Sequence, residues 1–72
     1  MKTAKEMFEE LYFSNFNYFL NSIVITNNDD KQTFILFDLD CQTVELSNLD
    51  IIEIPLLKAI NKQCQEFGWL DE

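Results

Sequence analysis

Histidine and arginine are absent from this chain, glycine and proline occur once each, and cysteine only twice. Each scarcity excludes something. Without histidine, most general-base and metal-assisted chemistry loses its usual carrier. Cys41 and Cys64 stand too far apart in sequence to form a zinc-ligand pair. No metal, no cofactor and no catalytic residue is therefore expected. The two thiols make at most one bridge, and "MKTAKEMFEELYF" sets polar residues where a signal peptide needs an apolar stretch. Reduced cysteines and a cytoplasmic location follow as expectations. No apolar run approaches the roughly 18–20 residues that span a bilayer.

The lack of arginine leaves Lys2, Lys5, Lys31, Lys58 and Lys62 against thirteen acids, a formal charge of −8. Phosphate contacts need a basic footprint, so direct nucleic-acid binding is disfavoured, as is an anionic membrane surface. An acidic skin favours solubility and salt-sensitive encounter with basic protein surfaces.

Aromatic residues are plentiful: seven Phe, two Tyr and one Trp in 72 residues. A chain of this length forms one small domain, residues 1–72, and buries only about 60% of its unfolded surface. A two-layer fold that small encloses about half of the rings, which leaves the others for a surface that a second chain covers.

Two helical segments bracket a β-rich middle. Ala4, Met7, Phe8, Leu11 and Tyr12 follow helical spacing, and Thr3 with Glu6 makes a capping box. At the other end Leu56, Leu57, Ile60, Cys64 and Phe67 form an apolar stripe, with Pro55 suited to the first helical position. Gly68 stands where a left-handed residue would close that helix, Trp69 would fold back on Cys64, and the tail after it is expected to fray. Between them, "SIVIT", "KQTFILFD" and "TVELS" read as strands separated by "NNDD" and "LDCQ" turns. Within "TFILF", Thr33, Ile35 and Phe37 share one face while Phe34 and Leu36 share the other, the pattern of a central strand. "FNYFL" is extended but interrupted by Asn17 and Asn21, and "IIEI" suits a brief edge strand or a lead into the last helix. The expected fold is α+β: an N-terminal helix, a three-stranded antiparallel meander with room for a fourth short strand, and a C-terminal helix packed on the sheet.

The stretch "FDLDCQT" resembles the opening of a haloacid-dehalogenase-type phosphatase, with Asp38 and Asp40 in the positions of nucleophile and general acid. Three facts count against it. That chemistry sits on a doubly wound parallel sheet, which needs a far longer chain. Cys41 replaces the glycine of the motif, and no later lysine or acidic pair is placed to hold phosphate and magnesium. A hairpin whose turn uses Asp38 and Asp40 to bond local amides accounts for the same residues. As a nucleophile in its own right, Cys41 has acidic neighbours that work against a thiolate.

"MKTAKEMFEEL" and "LLKAINKQCQEFGWLDE", 28 residues together, resemble the two ends of a group of short accessory proteins encoded by phages and prophages of low-GC Gram-positive bacteria. Pro55-Leu56-Leu57 departs from the Thr-capped acidic first turn frequent in that group, and "FNYFLN" is more aromatic. The group has no established activity, so the resemblance carries over no functional residue. It implies a phage-encoded role in which a small acidic protein binds a host or defence protein with a basic surface.

Composition and resemblance together lead to a non-enzymatic interaction protein that modulates, and in the leading case inhibits, such a partner by occupying a groove built for DNA or RNA. The candidate docking acids are Asp29, Asp30, Asp38 and Asp40 on two turns, with Glu45 on the adjacent strand. The turns of a meander emerge at opposite sheet ends, so two acidic clusters about 17–20 Å apart are expected. The alternative is a homodimeric scaffold in which Phe13, Phe16, Tyr18 and Phe19 form an isologous patch and charge serves solubility only.

Overall fold

Local signals set the ends of the first helix. In the computed structural model, which describes residues 1–70, α1 spans Ala4–Glu10. Thr3 Oγ1 accepts from the Glu6 amide at 3.2 Å, and a Glu6 carboxylate oxygen accepts from the Thr3 amide at 2.8 Å, the reciprocal capping box. A third orphan donor of this helix, the Ala4 amide, is satisfied from far along the chain by Glu66 Oε2 at 2.8 Å.

The helix closes in a tight double hydrogen-bonded cap. Phe13 N–H donates to Phe8 O at 3.0 Å and Tyr12 N–H to Glu9 O at 3.1 Å. Tyr12 occupies the left-handed position with φ 67°, normally a glycine site. Asn28 holds it there: its amide donates to Tyr12 O at 2.8 Å, and its side chain bonds Ser14. Tyr12 is consequently turned out and exposed instead of extending the apolar stripe, while Phe13 takes the buried place. A Tyr12→Gly substitution relieves a cost of roughly 1–2 kcal/mol and adds back about 0.5–1 kcal/mol of chain entropy. A net gain of about 0.5–1 kcal/mol is expected, readable as an upward shift of the urea midpoint with an unchanged slope.

Four strands follow: β1 Asn15–Tyr18, β2 Ser22–Thr26, β3 Phe34–Asp38 and β4 Thr43–Ser47. They form one antiparallel sheet in the order β1-β2-β3-β4. The fourth strand of the meander is therefore "NFNY", ahead of the three strands legible in the sequence. "IIEI" forms no strand. Ile51–Glu53 are irregular and Ile54 already opens α2, which spans Ile54–Glu66 with Glu53 as its cap residue and Pro55 in the first turn.

Helix α2 ends as its sequence predicts. Gly68 has φ 81°, Trp69 N–H donates to Cys64 O and Gly68 N–H to Gln65 O, both at 3.0 Å. The Trp69 ring then lies 4.8 Å from Phe67 and 6.4 Å from Phe37, centroid to centroid. The buried stripe is Leu56, Ala59 and Ile60, with Cys64 and Phe67 partly buried; Leu57 lies one residue out of phase and is exposed. The expectation for the tail lies, at Asp71 and Glu72, outside the described residues.

Both helices lie on the same side of the sheet. The buried core joins Ala4, Phe8, Phe13, Leu56, Ala59 and Ile60 to Ile25, Ile35 and Phe37. By register those three strand residues share a face with Phe16, Ile23, Val44 and Leu46, which pack against the same core. Phe37 sits at its centre, with Phe8 at 6.2 Å and Phe67 at 5.6 Å in edge-to-face geometry.

Candidate functional site

Strand periodicity sends the intervening residues to the opposite face. There the central row runs Asn17, Val24, Leu36 and Glu45 across the four strands. Thr26, Phe34 and Ser47 make the row beside it, and Ser22, Asp38 and Thr43 the row on the other side. None of these residues belongs to the helix-packed core. Val24, Phe34 and Leu36 are half-buried. The face is thus an apolar centre within a polar and acidic border.

The docking acids sort into two kinds. Asp29 and Asp30 lie on the β2–β3 loop, Asp38 and Asp40 at the β3–β4 turn. The pairs stand at opposite ends of β3, whose last residue is Asp38, and Glu45 is exposed between them on the helix-free face. Asp30 is bound into the fold. Its Oδ1 accepts from Gln32 N at 2.9 Å, and its Oδ2 accepts from Thr33 Oγ1 at 3.0 Å and Asn48 Nδ2 at 3.1 Å. Thr33, the one buried polar residue of the core region, also accepts from Asn48 at 2.9 Å. Asp38 is committed as well: its Oδ1 accepts from Asp40 N at 3.0 Å and Cys41 N at 2.9 Å. Asp38 alone, not Asp40, closes the hairpin that the phosphatase-like motif forms.

Asp29, Asp40 and Glu45 make no side-chain hydrogen bond among the described residues, and all three are exposed. Of the five candidate acids, these three have no side-chain bond within the fold, while Asp30 and Asp38 also serve its turns. Asp30→Ala should cost about 1–2 kcal/mol, since three donors lose a charged acceptor, whereas Asp29→Ala should leave the unfolding midpoint unchanged. Paired urea titrations read the difference.

Of the aromatic patch, Phe13 is buried in the core and belongs to no exposed patch. Phe16 is half-buried, edge-on to Phe8 at 6.4 Å, with Lys5 Nζ 5.6 Å above its ring. Tyr18 and Phe19 are exposed, joined by Leu20, and Tyr18 stacks on Phe16 at 6.5 Å.

Acids are spread along the whole chain, whereas the lysines are concentrated outside the sheet segment. Residues 15–52, the strands and their connections, hold six acids and a single lysine, Lys31. Lys2, Lys58 and Lys62 instead line a groove of about 510 Å³ between α1 and α2, over Met7 and Leu11. Lys2 is paired there with Glu10 at 2.7 Å. A smaller apolar cleft of about 280 Å³ lies between Leu11, Phe13, Leu49, Ile51 and Leu56. Both cysteines are free; Cys41 is exposed, and burial pushes the Cys64 thiol up. Among the described residues no three His, Cys, Asp or Glu side chains cluster as a metal site would require, and no helix is long and apolar enough to cross a membrane.

The sequence pattern had placed Phe34 and Leu36 on their own face without marking that face as uncovered. The signal was helix count: two short helices cover one side of a four-stranded sheet, and their stripes match only the Ile35/Phe37 side. No family model, curated protein or solved structure matches the chain.

Proposed function

We propose that the protein is a non-enzymatic interaction module that docks its helix-free sheet face onto a basic protein surface. The carrying observation is the pairing on that face of an apolar centre, Val24, Phe34 and Leu36, with an acidic surround, while most of the lysines lie on the helices. Interfaces of this anatomy take binding energy from the desolvated centre and encounter rate from the charged rim. The resemblance of both termini to phage-encoded accessory proteins supports a host or defence protein in the bacterial cytoplasm as the partner. An anionic face with free carboxylates at Asp29, Asp40 and Glu45 suits a groove that otherwise holds DNA or RNA, and its occupation inhibits the owner.

The test is capture of partners from host lysate on immobilised protein. The bound protein should elute as salt rises and should be displaced by added DNA or RNA. If retention ignores salt and survives charge reversal at Asp29 and Asp40 together, the reading is wrong.

A further inference from the structure

The two edges of the sheet are guarded differently. In β2 and β3, Asn27 N–H donates to Thr33 O and Leu39 N–H to Asn21 O, so odd-numbered residues of β2 bond β3. Phe19 N–H donates to Ser22 O, so Asn15 and Asn17 point their backbone groups at β2. Alternation then turns the N–H and C=O of Phe16 and Tyr18 outward, unpaired, along the β1 edge. The same alternation turns those of Val44 and Leu46 outward along the β4 edge.

Natural sheets protect such edges with charge, proline or a covering element. The β4 edge has Glu45 at its centre. The β1 edge has nothing of the kind: residues 11–28 contain no charged side chain, in a chain of net charge −8. Two cations lie beside this edge, Lys5 above the Phe16 ring and Lys31 in the cleft with Asn15 and Asn17. Repulsion between two copies is therefore weakest when they meet at β1.

We infer that β1 pairs antiparallel with β1 of a second copy about a two-fold axis at Asn17, joining two four-stranded sheets into one of eight. In this register Phe16 lies opposite the partner's Tyr18, and each exchanges N–H···O=C bonds with the other, four bonds in all by symmetry. Phe16 and Tyr18, already stacked within one copy, become a four-ring array on the helix side. Asn17 meets the partner's Asn17, a neutral pair. The equivalent pairing through β4 sets Glu45 against the partner's Glu45 and is disfavoured. Pairing β1 with β4 of another copy does not close and would grow filaments. In the two-fold dimer the helix-free faces lie side by side, so dimerisation widens the docking face without using it.

Sedimentation velocity of the full chain across dilution tests the pairing. A monomer–dimer equilibrium is expected, and it should tighten as salt rises because screening relieves the repulsion between like-charged copies. Partner docking on the acidic face has the opposite salt response, so the two interactions fail independently. Asn17→Lys should weaken dimerisation at least about tenfold by setting like charges together. Tyr18→Pro should do the same while preserving the circular dichroism spectrum, because the N–H it removes is not used by β2. With Cys41 and Cys64 replaced by serine, N17C should cross-link under mild oxidation, since directly opposed residues of this pair type suit a disulfide, and N15C should not. A strict monomer at every concentration overturns the inference. So does a dimer that resists both edge substitutions, or a mass that climbs past two copies.

Discussion

Phe37→Ala should leave the protein largely unfolded at room temperature, while Phe34→Ala, three residues earlier on the same strand, should leave it folded. Phe37 is fully buried and touches Phe8, Phe67 and Trp69, so truncating it opens a cavity that both helices border. Such a change costs about 3–5 kcal/mol. A domain of this size holds only about 3–5 kcal/mol from a single core unless something else staples it. Its cysteines are free, so no disulfide among them compensates. Phe34 lies on the helix-free face, half-exposed, and forfeits only partial burial, on the order of 1 kcal/mol. Circular dichroism and urea titration of the two variants measure the contrast. Equal damage from both would mean that the second face is covered by something, and the docking proposal would lose its surface.

How much of this was legible beforehand divides along the range of the interactions involved. The capping box at Thr3 and the left-handed Gly68 are set by residues within a turn of each other, and both were readable. The face assignment within "TFILF" was readable for the same reason, since strand period is local. "IIEI" stayed open between an edge strand and a lead into the last helix because β-branched residues favour strands; the lead is what forms, with Pro55 and the helical stripe behind it drawing Ile54 into α2. Tyr12 misled because spacing alone assumes that the helix continues; it stops at Glu10, and the residue after the cap points elsewhere. Asn28 maintains that reversal from the far side of the β1–β2 hairpin. The acids show the limit most clearly. Asp29 and Asp30 are neighbours of identical chemistry, yet one is free and the other is fixed by Asn48, eighteen residues away. No pattern within "NNDD" separates them. β1 was ambiguous for a related reason: an edge strand whose partner is a hairpin neighbour needs little hydrophobic alternation, and Asn15 and Asn17 face the uncovered side, where polarity costs little.

Leu36→Thr and Glu45→Lys should both impair partner docking, but in different ways. They are cross-strand neighbours in the central row of the helix-free face. Leu36 is the apolar anchor, and threonine preserves strand propensity while removing the surface a partner would desolvate. An anchor at the centre of an interface is typically worth at least about 2 kcal/mol, so affinity should fall roughly thirtyfold or more, chiefly through faster dissociation and at every salt concentration. Glu45 belongs to the charged rim. Reversing it should slow association several-fold at low salt, with the deficit shrinking once ionic strength screens the encounter. Surface-immobilised binding kinetics at two salt concentrations, with the captured partner as analyte, separate the two signatures. Because neither residue touches the helix-packed core, thermal unfolding should shift little in either case, which keeps loss of binding distinct from loss of fold. If Leu36→Thr binds like the parent, the contact lies elsewhere on the molecule, and the acidic border is solvated surface with no docking role.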